Sequence, residues 1–67
     1  MTSEIDIYRT ANLLVKEYGQ KAPLMAASRV DALLALGDVD GQSVWKAVLR
    51  AVQELIRLDR KSDERMN

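Results

Sequence analysis

The chain contains no cysteine and no histidine among its 67 residues. Without cysteine there is neither a disulfide nor a thiol nucleophile. Without cysteine or histidine a structural zinc site lacks its usual ligands. The missing histidine also removes the side chain best suited to proton transfer near neutral pH. An excess of charge is absent too: ten Lys and Arg balance ten Asp and Glu, for a net charge of zero. With a pI near 6.2, bulk electrostatic attraction to nucleic acid or to an anionic membrane is not expected.

Long apolar runs are missing as well. The longest, such as Ala32-Leu33-Leu34-Ala35-Leu36, falls far short of the ~18 residues that read as a membrane span. The start, Met1-Thr2-Ser3-Glu4-Ile5-Asp6, is acidic and has neither the basic nor the apolar region of a signal peptide. The expected location is the cytoplasm, with no membrane as partner.

What is present is a short chain rich in alanine and leucine, 48% apolar. That fraction suffices for one packed domain and argues against global disorder. A core of this size is marginal, and without disulfide or zinc it relies on good helix packing or on self-association.

The pattern predicts an all-α fold, a compact three-helix bundle with helices near 4–18, 23–36 and 41–60. Ser3 followed by Asp6 is a variant of the capping box, and Gly19 suits a left-handed helix end. Between them Ile7, Tyr8, Ala11, Leu14, Val15 and Tyr18 share a stripe at about 100° per residue. Pro23 fits the first turn of the second helix and Gly37 its stop. Ala26, Ala27, Val30, Leu33 and Leu34 form that helix's main apolar face.

Asp40 is the expected cap of the third helix, whose apolar residues run from Val44 and Trp45 to Leu58. They cover roughly 200° of its circumference, which predicts a central helix packed on two sides. Asp59 interrupts this arc. Residues 1–61 therefore form the domain, and 62–67 are expected to be a frayed charged tail. No β-branched alternation, internal repeat or low-complexity linker competes with this reading.

The string Ser3-Glu4-Ile5-Asp6-Ile7-Tyr8-Arg9, together with Gly37-Asp38-Val39-Asp40-Gly41-Gln42 and the following Trp45, resembles a family of short helical proteins of alphaproteobacteria. The likeness covers nearly the whole chain except the charged tail. It implies a small bacterial, cytoplasmic protein, and it brings no activity, cofactor or catalytic residue to transfer.

The candidate sites are few. Asp38-Val39-Asp40-Gly41 invites comparison with a calcium loop. If Gly41 took the sixth position, however, the first would be Leu36 and the last Ala47, leaving too few oxygen ligands. No metal and no cofactor is expected. Tyr8, Tyr18 and Trp45 lie on the apolar stripes and read as core aromatics before they read as a ligand box. Asp6, Glu17 and Asp31 have no basic or nucleophilic partner fixed by spacing, and Ser28 and Ser43 have no base to activate them. No catalytic residue is assigned, and the chain is not expected to be an enzyme.

Two surfaces remain. Lys46, Arg50, Gln53, Arg57 and Lys61 form a basic ridge on the third helix, opposite the core and close to Arg60. It suits phosphates or an acidic protein surface, or else it is a solvated face beside Glu54 and Glu64. Met25, Ala32 and Leu36, with Arg29 between them, form a smaller apolar strip on helix two. Leu13 faces away from the stripe of helix one. Leftover apolar surface is what a homodimer or a partner-binding patch would use.

The sequence therefore reads as a non-enzymatic protein-interaction module that binds protein, including a second copy of itself. The alternative is a small nucleic-acid-binding regulator using the basic ridge, although the apolar third helix fits poorly as an exposed recognition helix. A third reading is an enzyme or ligand binder whose site is completed by another subunit.

Overall fold

The computed structural model describes residues 3–65, with side chains as far as Leu58. Three α-helical segments follow one another: α1 (Glu4–Tyr18), α2 (Ala22–Leu36) and α3 (Val39–Arg65). Gly19–Lys21 carries α1 into α2 as a 3-10 turn. The helical residues thus fall into two unbroken runs, 4–36 and 39–65, where three separate helices were expected. There is no strand among the described residues.

The helix ends follow from local chemistry. Ser3 Oγ accepts the Asp6 amide at 3.2 Å, which satisfies one of the free donors of the first turn. Gly19 has φ 57° but ψ −127°, outside the left-handed helical region expected of it, and its N–H donates to the Val15 carbonyl. Pro23 lies in the first turn of α2, where its missing amide costs nothing. At the far end Gly37 has φ 75° and donates to the Leu34 carbonyl at 3.1 Å, while the Asp38 amide reaches Leu33 at 3.0 Å. This is the paired closure of a Schellman end.

The third helix begins earlier than Asp40 predicts. Asp38 is its cap: the Asp38 carbonyl accepts the Gln42 amide at 3.0 Å, and Oδ1 accepts the Gly41 amide at 2.9 Å. Sequence reasoning chose Asp40 because it adjoins Gly41, but the aspartate three residues before Gly41 is the one that reaches its amide. A Cβ on Gly41 would lie 2.6 Å from Asp38 Oδ2, so the folded-over carboxylate needs glycine there. Helical backbone also continues to Arg65, past the expected end near 60. The interruption at Asp59 and the frayed tail at 62–67 concern side chains and ends that lie outside the described residues.

Both α1 and α2 pack on α3 and touch each other much less, which is the central role its wide apolar arc implies. The fully buried residues are Ala11, Ala22, Ala26, Val48, Ala51 and Val52. Ile7, Leu14, Val15, Trp45, Leu55 and Ile56 lie half-buried against them. The buried positions on α1 and α2 are all alanines, so the helices approach closely at the cost of core volume.

The radius of gyration is 12.9 Å, against about 11 Å expected for a folded domain of this length and about 25 Å unfolded. The fold is compact but drawn out along α3, whose 27 residues span about 40 Å at 1.5 Å per residue.

Candidate functional site

The small core leaves much apolar surface uncovered. On α2 only Ser28, Arg29 and Asp31 are polar, yet Leu24, Leu34 and Leu36 are 69%, 60% and 80% exposed. A helix that is apolar on nearly all sides is normally enclosed. Here only Ala22 and Ala26 are buried. Leu34, expected on the core face, is instead exposed, although Ala27 at a similar angle on the wheel is half-buried; the cover on that side ends before the C-terminal turns of α2.

The residues expected to form an apolar interface are all exposed and divide between α1 and α2. Met25, Arg29 and Ala32 line a groove of about 250 Å³ with Leu14, Tyr18 and Trp45, at the junction of the three helical segments. Leu36 is not in it. Leu13, 59% exposed, lies on another face of α1 beside Ile5 and Tyr8.

Trp45 packs half-buried against the core, and the Arg29 guanidinium carbon sits 5.2 Å from its ring centroid. That separation is within cation–π range. Arg29 therefore covers the tryptophan from its place between Met25 and Ala32. This contact was not legible in the sequence, because only the antiparallel return of α3 along α2 brings positions 29 and 45 level.

The two tyrosines mark the edges of the core, about two-fifths exposed. Tyr8 Oη donates to Glu54 Oε2 at 3.1 Å, joining α1 to the second half of α3. Accepting that hydrogen bond and carrying a negative charge, Glu54 raises the Tyr8 pKa above its ordinary value of 10.0, with lesser effects from desolvation and Glu4. Thr10 Oγ1 donates to the Asp6 carbonyl at 2.9 Å, a local bond within α1.

On α3 the expected ridge is solvent-facing: Lys46, Arg50, Gln53 and Arg57 are all exposed, with Glu54 exposed beside them. Lys61 lies beyond the described side chains. Among the described residues no group of three Asp or Glu could hold a metal ion, no polar side chain is buried, and no helix is long and apolar enough to cross a membrane.

A depression of about 590 Å³, open to solvent, runs along the outer face of α1 from Glu4 to Lys16. Its floor includes Ile5, 71% exposed, and the ring of Tyr8. No protein-family model, curated protein or solved structure matches this chain.

Proposed function

We propose that this protein is a non-enzymatic interaction module: a small three-helix bundle, cytoplasmic and akin to the short alphaproteobacterial proteins it resembles, that works by binding protein, a second copy of itself included. One observation carries the reading. A helix with three polar residues in fifteen leaves three of its four leucines between 60% and 80% exposed, while among the described residues the core fully buries no side chain larger than valine. Exposed apolar surface on this scale marks contact sites. The reading rests on surface and not on chemistry.

The exposed ridge of Lys46, Arg50 and Arg57 favours a second reading, a nucleic-acid-binding regulator. The zero net charge and the adjacent Glu54 weaken it. Affinity capture of the tagged protein from its native cytosol, with and without nuclease, separates the two. A partner protein retained after nuclease supports the interaction module. Recovery that depends on intact nucleic acid, with a steep loss of binding in salt, supports the ridge and overturns the first reading.

A further inference from the structure

The depression on α1 has a repeat that shares only Tyr8 with the stripe facing the core. Written as a heptad, Ile5 takes position a, Tyr8 position d and Asn12 the next a, while Glu4 and Arg9 flank them at g and e. All five side chains are exposed and line one continuous face. This is the arrangement of a short coiled-coil seam, with an asparagine at a, the polar residue that fixes register and two-stranded pairing.

We propose that this face of α1 pairs in parallel with the same face of a second copy of the chain. The inference rests on the interaction-module reading and names both its partner and its surface.

Charge decides the orientation. In a parallel pair a g residue faces the partner's next e residue, which sets Glu4 against Arg9 of the other copy, twice by symmetry. In the antiparallel pair that sets Ile5 against the partner's Asn12, e faces e and Arg9 would meet the partner's Arg9, so like charges oppose. The side-chain order along the helix therefore supports one direction and penalises the other.

The α3 contact helps as well. With Oη held by Glu54 at 3.1 Å, the Tyr8 ring is already fixed at the seam, which lowers the ordering cost of association. The next g and d positions, Ala11 and Val15, belong to the chain's own core. The seam is therefore two turns long, and the dimer is weak and concentration-dependent.

Because the chain has no cysteine, a single introduced one reports on its neighbour without interference. Ile5→Cys and Asn12→Cys, each oxidised alone, should form disulfide-linked dimers at least tenfold faster than Gln53→Cys on the exposed face of α3. Adding Ile5→Lys to the Asn12→Cys chain should remove that advantage. Sedimentation over a range of concentrations runs alongside.

If a mixture of the Ile5→Cys and Asn12→Cys chains gives the heterodimer in preference to both homodimers, the pairing is antiparallel and the proposal fails. Equal cross-linking rates for all three positions, with a dimer still seen in sedimentation, place the interface elsewhere and overturn the seam, while the interaction-module reading stands. A monomer at every concentration overturns the seam and self-association together, leaving only a different protein as partner.

Discussion

Helices α2 and α3 make opposite use of their apolar residues. Between Lys46 and Arg57 on α3 the division is clean: Val48, Ala51 and Val52 are buried, while Lys46, Arg50, Gln53 and Arg57 face water. Along α2 the composition is more apolar, yet only two alanines are enclosed and three leucines are exposed. Apolar content alone therefore says little about where the core lies. An amphipathic helix records which face its own chain covers, whereas a helix apolar all round records that its own chain covers too little. The stability of this domain should accordingly reside along α3, and the outer side of α2 should matter mainly to partners.

Charge at matched positions breaks or sharpens that contrast most directly. Val52 is fully buried, and an unpaired carboxylate there costs several kcal/mol. A domain of this length has a total stability of only about 3–10 kcal/mol. Val52→Asp should therefore abolish the cooperative thermal transition seen by circular dichroism. Leu34→Lys on α2 should shift the stability of the monomer by less than about 0.5 kcal/mol. A large loss from Leu34→Lys at concentrations where the protein is monomeric would mean that α2 buries more than its two alanines.

Trp45 comes next. Half-buried, with Arg29 over its ring, it should cost about 3 kcal/mol when cut to alanine, the low end for a core tryptophan. Urea unfolding measures it. A loss below about 1 kcal/mol would place the ring among the exposed side chains of the groove and outside the core. The cap is a smaller lever. Asp38→Ala removes the carboxylate that accepts the Gly41 amide and should cost about 1 kcal/mol. Asp40→Ala should cost less, and the reverse ranking would restore Asp40 as the cap.

The smallest effect is expected at alkaline pH. The folded-state pKa of Tyr8 is raised by Glu54, so folding favours the protonated phenol. Its contribution is fully present below the unfolded value of about 10 and is lost as pH rises through the folded value. The stability difference between the parent and Tyr8→Phe should shrink above pH 10. A difference that held constant there would show that the hydrogen bond to Glu54 is not made in solution.

Much of the fold was legible in the residues. Ser3, Gly19, Pro23 and Gly37 place helix ends because each has one physical reason to be there, and the α3 arc announced a helix with neighbours on two sides. The ridge on α3 was readable for the same reason, since periodicity separates its faces. What was not legible depends on a third dimension. Leu34 looked like core because the wheel cannot say how far along α2 its neighbours reach. The place of Arg29 over Trp45 could not be read because its partner arrives from another helix. The face of α1 from Ile5 to Asn12 went unread because the stronger stripe on the same helix captured the pattern, and only Leu13 hinted at it.

The corner at Asp38 joins two helices in a way that bears on how the chain opens. Its amide closes the end of α2 on Leu33, and its carbonyl and carboxylate start α3 on Gln42 and Gly41. Neither end can unravel without releasing the same residue, so fraying cannot begin independently on either side of it. The last turn of α2 and the first turn of α3 form one opening unit. In native-state hydrogen exchange the amides of Gly37, Asp38, Gly41 and Gln42 should share one protection level, set by a common event that no single helix end controls.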